Sequence, residues 1–168
     1  MSSEEIFASA IEYEKKIHKF YLEAVNIVDD VKGQTFFKDF AADELSHVDF
    51  LEYSLDQLKN NKEINLDKLQ PSLPSKEKME NQIEKMKTEI PARMLGDIKR
   101  VLTSALKLEV QTSSFYKEAL EKSEGSIKSI FEKFYEIEQN HVDLVQFELD
   151  MAMNNGYWLD HMEIDMED

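Results

Sequence analysis

Two Glu-x-x-His motifs stand out in the sequence, Glu44 with His47 and Glu138 with His141. Residues three apart on an α-helix project from nearly the same face, so each pair can direct a carboxylate and an imidazole at one point. Carboxylate oxygens together with imidazole nitrogens suit iron or manganese, and zinc can bind them as well. One such motif is a weak signal, because both residue types are common on solvated helix faces.

The two motifs belong to a longer repeat. The second motif follows the first by 94 residues, and a third glutamate, Glu14, is followed 95 residues later by a fourth, Glu109. In each half a Phe-Tyr pair comes six and seven positions after this glutamate, Phe20-Tyr21 and Phe115-Tyr116. The chain is therefore interpreted as two copies of one helical hairpin.

Four long amphipathic helices are expected to carry these residues. Apolar side chains recur every three or four positions over about 3–30, 35–60, 96–123 and 127–154. Ser2 with Glu5 predicts a capping box, and Gly156 predicts the end of the last helix. The stretch 29–33 predicts a turn, with Gly33 available for a left-handed conformation. With four glycines, three prolines and no alternating pattern, the sequence predicts an all-α protein without strands.

The predicted organisation is one bundle with a tail. Residues 1–154 form a four-helix bundle of two hairpins, and 61–96 are a crossover connection long enough to run from one end of the bundle to the other. Within the crossover, 75–90 is expected to form a short, mostly solvated helix. Residues 155–168 are an acidic C-terminal tail, and the sequence leaves open whether the tail folds back over the bundle.

Composition excludes several classes of function. The net charge of −15 argues against nucleic-acid grooves and anionic membrane surfaces. The absence of cysteine excludes disulfides, thiolate zinc sites and a rubredoxin centre. No apolar stretch reaches the length of a membrane span, and the first residues do not have the pattern of a signal peptide, so a cytoplasmic protein is expected.

Four glutamates interrupt the apolar inner faces of the predicted helices at one level, and no lysine or arginine accompanies them there. Four buried carboxylates would repel one another, whereas two divalent cations would balance their charge. On this interpretation Glu44 and Glu138 bridge the two metals. One metal is completed by Glu14 and His47, and the other by Glu109 and His141.

On these residues, over about 3–154, the sequence resembles the rubrerythrin family, whose fold is a ferritin-like four-helix bundle of two hairpins joined by a long crossover. The resemblance implies two iron ions held by the six glutamates and histidines, with Tyr21 and Tyr116 hydrogen-bonded to ligand carboxylates. A purely apolar packing role for the two tyrosines fits the sequence equally well. The resemblance implies reduction of hydrogen peroxide or dioxygen with oxidation of Fe(II), and a homodimer.

The chain departs from the family in two respects. Thr112 stands where rubrerythrins usually carry a further glutamate, and no rubredoxin domain is present, so an external electron donor is implied, for example a rubredoxin-like protein.

His18 is assigned a peripheral role. His161, among the acids of the tail, is either a weak surface cation site or part of a solvated segment.

Two other functions use the same residues. The first is a ferroxidase that stores or delivers iron. The second belongs to another class, a helical interaction or structural bundle whose metal site does no redox chemistry.

Overall fold

The computed structural model describes residues 1–82 and 87–159, and these form an all-α bundle. Its helices and strands are α1 (Ser3–Ile27), α2 (Val31–Lys59), α3 (Lys76–Asn81), β1 (Lys87–Glu89), α4 (Leu95–Glu121), α5 (Gly125–Asn155) and β2 (Tyr157–Leu159). Short 3₁₀ turns lie at Leu66–Lys68 and Ala92–Met94. The predicted all-α class with four long helices is confirmed.

The topology follows from contacts between the first and third long helices. Short turns make α1–α2 and α4–α5 antiparallel hairpins. Tyr21 of α1 contacts Glu109 of α4, and Tyr116 contacts Glu14, so α1 and α4 are also antiparallel. Helices α2 and α4 must then run in the same direction. The connection 60–94 therefore returns along the length of α2, roughly 44 Å for its 29 residues.

Local capping matches the sequence at both ends of the bundle. The Ser2 hydroxyl accepts from the Glu5 backbone N–H, and the Glu5 carboxylate accepts from the Ser2 N–H, which completes the predicted capping box. Gly156 has φ of 69° and ends α5 in the left-handed region, as expected. Glycine tolerates this conformation because it has no Cβ atom.

The predicted left-handed turn at Gly33 is wrong. Helix α2 begins at Val31, with the Asp30 side chain as its N-cap accepting from the Gly33 N–H, so Gly33 is helical. The reason for a glycine here is tertiary: a Cβ atom at this position would lie 2.5 Å from the indole ring of Trp158 and 2.7 Å from Val28. The residue allows close packing.

The expectation of no strands is also wrong, and the helix predicted for 75–90 ends at Asn81. Strand β1 pairs with β2 in an antiparallel ribbon of three residues each, too short to show alternation in the sequence. This pairing folds the start of the tail back onto the bundle, where Trp158 is buried against Phe36 and Phe37. Residues 83–86 and 160–168, including His161, lie outside the described residues.

The apolar core is divided into two clusters. One contains Ile17, Phe40 and Leu102 with their neighbours, and the other contains Phe7, Leu51 and Phe131. The level of the four glutamates lies between the clusters. Over the described residues, no helix has both the length and the apolar character needed to cross a bilayer.

The contact between Gly33 and Trp158 yields a test. We expect Gly33→Ala to lower the free energy of unfolding by about 1–3 kcal/mol, because the rigid indole must move. In α4, Gly96→Ala is the matched control, since a Cβ there meets no atom within 4 Å. It should stabilise the helix by about 0.5–1 kcal/mol. Urea denaturation measures both, and equal effects would contradict the packing role.

Candidate metal centre

One buried polar layer crosses the middle of the bundle. Each long helix contributes to it, and the side chains are 1% exposed or less. The layer consists of Glu14 from α1, Glu44 and His47 from α2, Glu109 from α4, and Glu138 and His141 from α5. The structure thus brings together all six residues that the sequence singled out.

The six residues form two overlapping sets, each of four side chains. One set is Glu14, Glu44, His47 and Glu138; the other is Glu44, Glu109, Glu138 and His141. Within each set one ligand atom per residue lies within 4.8 Å of all the others. Glu44 and Glu138 belong to both sets, which is the arrangement expected of two adjacent ions sharing two carboxylates.

Both imidazoles direct Nδ1 at these carboxylates. The Nδ1 atom of His47 lies 3.4 Å from Glu44 Oε2 and 3.5 Å from oxygens of Glu14 and Glu138. The Nδ1 atom of His141 lies 2.7 Å from Glu44 Oε1 and 3.5 Å from Glu109 Oε1. The two rings are stacked, with centroids 5.5 Å apart. His141 Nδ1 also lies 3.9 Å from Glu138 Oε2, so each Glu-x-x-His pair converges, as its spacing predicted.

Two tyrosine hydroxyls hold carboxylates of the opposite hairpin. Tyr21 Oη donates to Glu109 Oε1 over 2.7 Å, and Tyr116 Oη donates to Glu14 Oε1 over 2.8 Å. Burial, reinforced by the charges of the neighbouring glutamates, raises the pKa of both phenols well above 10. Both therefore stay protonated as donors, and an apolar packing role alone is insufficient to describe them.

The pKa values of the buried glutamates are shifted in different directions, so the glutamates differ in charge. Burial, followed by the charge of Glu14, raises the pKa of Glu44 and Glu138 well above 4.5. Burial acts on Glu14 in the same direction, but contacts with Glu44 and the charge of His47 outweigh it and lower the pKa of Glu14 to about 2. In the absence of cations, protons thus limit the negative charge of the layer.

The histidines also take up protons. Burial favours neutral imidazole, but the charge of Glu14 raises the pKa of His47, and that of Glu109 raises the pKa of His141, in both cases well above 6.5. Within the described part of the chain, no lysine or arginine forms an ion pair with the four glutamates. The imidazoles are their only cationic neighbours there.

Several buried atoms of the layer make no hydrogen bond. They are Oε2 of Glu14, Glu44 and Glu109, both carboxylate oxygens of Glu138, and both ring nitrogens of His47. Unpaired polar atoms are rare in protein interiors because each loses its hydration without replacement. Oxygen and imidazole donors that converge without partners fit divalent iron, manganese or zinc. These six residues therefore fit a pair of metal ions.

Sequence reasoning missed two buried acids. Asp43 is next to Glu44 and four residues before His47, and its Oδ2 lies 2.7 Å from His141 Nε2. Its position beside the motif was the available signal. Glu148, seven residues after His141 on the inner face of α5, is fully buried but belongs to neither metal-ligand set.

The remaining candidates lie apart from the two sets. His18 donates from Nδ1 to the Ala41 carbonyl oxygen at 2.8 Å, in keeping with a peripheral position. Thr112 is buried, and its hydroxyl donates to the Leu108 carbonyl of its own helix. Its hydroxyl proton is therefore used within its own helix.

The chain has no significant match among protein-family models, curated proteins or solved structures. The site is defined by its own geometry: two sets of buried ligand atoms that share two carboxylates.

The charge state of the layer predicts a pH dependence for the metal-free protein. The pKa of Glu44 and of Glu138 is higher in the folded protein than in the unfolded chain, so their protonation stabilises the fold. This stabilisation is complete below about pH 4.5 and is lost as the pH rises through the pKa of the folded state. The raised pKa values of His47 and His141 likewise stabilise the folded protein, and this contribution is lost as the pH rises above 6.5 and through the pKa values of the folded state. We therefore expect the free energy of unfolding, from urea titrations, to fall as the pH rises above mildly acidic values.

Glu138→Gln tests the origin of this fall. The neutral amide cannot ionise, so the decline with pH should be shallower than in the unmodified chain. The exposed neighbour Glu136→Gln is the matched control and should keep the original slope. Identical slopes for the two variants would contradict the assignment.

Proposed function

We propose that this protein is a non-haem di-iron oxidoreductase of the rubrerythrin type, built on a ferritin-like bundle. Its reaction is the reduction of hydrogen peroxide, or of dioxygen, with oxidation of Fe(II). The observation that carries the proposal is the pair of buried ligand sets sharing Glu44 and Glu138. Four glutamates and two divalent ions balance in charge, which explains why an apolar core holds so many acids.

Held by these glutamates and histidines, a pair of Fe(II) ions would supply the two electrons that, with two protons, reduce one hydrogen peroxide molecule to two water molecules. A two-electron reduction of the oxygen–oxygen bond would release no hydroxyl radical. Two adjacent metals are needed because either ion alone supplies one electron.

The chain's own residues hold the site rigid and dry. The apolar clusters on either side of the layer keep bulk water away from the carboxylates. Tyr21 and Tyr116 each fix one oxygen of a terminal carboxylate, Glu109 and Glu14 respectively, which leaves the second oxygen of each without a protein hydrogen bond. Glu44 and Glu138 make no hydrogen bond with either tyrosine.

A small cavity next to the site supports a small substrate. It has a volume of about 280 Å³ and lies between the crossover, at Pro71 and Leu73, and helix α5. His141 is part of its lining together with Asn140. The cavity is suited to peroxide or dioxygen, which need little room, and it reaches the proposed centre at His141.

Electrons must reach the centre from another molecule. The chain has no cysteine with which to hold an iron–sulfur or rubredoxin centre. We therefore assign an external electron donor, such as a rubredoxin-like protein. A homodimer is the assembly proposed for this activity, whereas iron storage would require a closed shell around a cavity.

Metal content tests the ligand assignment. Elemental analysis after loading with Fe(II) under anaerobic conditions should find a pair of ions in the unmodified protein. Glu44→Ala and Glu138→Ala should each abolish the bound pair, because both ions lose a shared carboxylate. Tyr116→Phe should retain the pair, since its hydroxyl contacts a ligand and not the ion. Glu136→Ala on the exposed face of α5 is the control. Unchanged metal in the first two variants would refute the site.

Reactivity separates the proposed function from its alternatives. Mixing the Fe(II)-loaded protein with hydrogen peroxide in a stopped-flow spectrometer should oxidise both ions per peroxide consumed, without radicals detectable by spin trapping. Oxidation should exceed that of free Fe(II) by on the order of tenfold or more, because the ions are held together. Slow oxidation would favour a structural bundle, and a shell-sized particle in size-exclusion chromatography would favour storage.

A further inference from the structure

Asp43 is the one buried acid of the layer that does not follow the internal repeat. The glutamate next to it has its counterpart 94 residues later, but the residue 94 positions after Asp43 is Ile137. Asp43 is nonetheless 1% exposed and lies against both imidazoles. A single acid in only one half of the repeat therefore faces the histidines of both halves.

The aspartate occupies the outer side of the two rings. Its Oδ2 atom lies 2.7 Å from Nε2 of His141, a hydrogen-bond distance, and 3.4 Å from Nε2 of His47. The Nδ1 atoms of the same rings face the glutamates. Each imidazole thus lies between the glutamates on one side and one shared carboxylate oxygen on the other.

The second oxygen of Asp43 is held by the crossover. Oδ1 accepts from the Ser72 backbone N–H at 3.1 Å and from the Ser72 hydroxyl at 2.7 Å. The carboxylate is therefore restrained from both sides, and Oδ2 stays directed at the imidazoles. These contacts also tie the connection between the hairpins to the centre of the bundle.

We propose that Asp43 is a positioning residue for both histidines of the centre. By accepting from Nε2–H of His141, and by lying 3.4 Å from Nε2 of His47, its carboxylate favours in both rings the tautomer whose Nδ1 lone pair is free for a metal ion, and Ser72 keeps it in place. An acceptor on the far nitrogen of a metal-binding imidazole fixes the ring and raises its basicity. This inference rests on the proposed metal centre.

The same atoms allow a different arrangement. Asp43, His47 and His141 are themselves close enough to hold one ion, with ligand atoms within 4.8 Å of one another. Such an ion would use the nitrogens that face away from the glutamates. Both carboxylate oxygens of Asp43 have hydrogen-bond partners, Ser72 and His141, whereas each of the four glutamates keeps at least one oxygen without a partner. We therefore favour the hydrogen-bonded arrangement.

Zinc is the probe that tests the inference, because Zn(II) is diamagnetic and permits NMR of the histidine rings. In the Zn(II)-loaded protein, long-range ¹H–¹⁵N correlations should show both rings protonated at Nε2 and bound through Nδ1. Asp43→Asn should weaken zinc affinity about 10–100-fold, measured by competition with a chelator. The ring protons at Nε2 should also exchange faster with water. Asp49→Asn, at an exposed position of the same helix, should change none of these quantities.

Ser72→Ala supplies a second variant should Asp43→Asn not fold. It leaves the carboxylate in place and removes the hydroxyl anchor, so zinc affinity should fall less than in Asp43→Asn but more than in Asp49→Asn.

Zinc affinity and ring signals equal to those of Asp49→Asn in both variants would overturn the positioning role while leaving the metal centre intact. The loss of one ion per chain in Asp43→Asn, with the rest bound normally, would overturn it in favour of the separate site. Failure of the unmodified protein to bind zinc would overturn both the inference and the proposed function.

Discussion

The burial of negative charge governs this structure. Four glutamates converge in an otherwise apolar core, and no lysine or arginine ion pair is found with them among the described residues. Taking an ion out of water costs several kcal/mol even after relaxation, unless opposite charge or hydrogen bonds replace the hydration. The chain supplies part of this compensation through Tyr21, Tyr116 and the imidazoles. The two carboxylate oxygens of Glu138 have no hydrogen-bond partner, so the chain does not supply this compensation there.

The rest of the bundle is arranged around this layer. The apolar side chains divide into one cluster on each side, so the carboxylates lie far from both ends of the bundle. The tyrosine hydrogen bonds cross from one hairpin to the other, which sets the level at which α1 and α4 pack. The crossover reaches the same layer through Ser72 and Asp43. Elements distant in sequence are therefore held together by the polar groups as well as by the apolar core.

The two halves of the chain are alike in their ligands but not in their surroundings. The repeat places a Glu-x-x-His pair on α2 and on α5, and it gives each hairpin one tyrosine that serves the other. The crossover has no counterpart in the repeat, and neither has Asp43, the acid that the crossover anchors. An approximately symmetric centre consequently has one side covered by residues 71–75 and bordered by the cavity near His141. Under the proposed function, that is the side on which a small substrate would reach the centre.

The sequence alone determined which residues meet. Helical periodicity and the 94- and 95-residue spacings set the face and level of all six Glu and His residues, because an α-helix converts spacing into direction. Three features depended on tertiary contacts: the ribbon that buries Trp158, the helical Gly33 beneath it, and the position of Asp43 against both imidazoles. A three-residue strand is too short to show an alternating pattern in the sequence. The close packing of Gly33 against Trp158 joins residues that are far apart in the chain, so no local sequence pattern indicates it. The acid next to Glu44 reaches the second imidazole only because α2 and α5 pack together, and that proximity is a property of the folded chain.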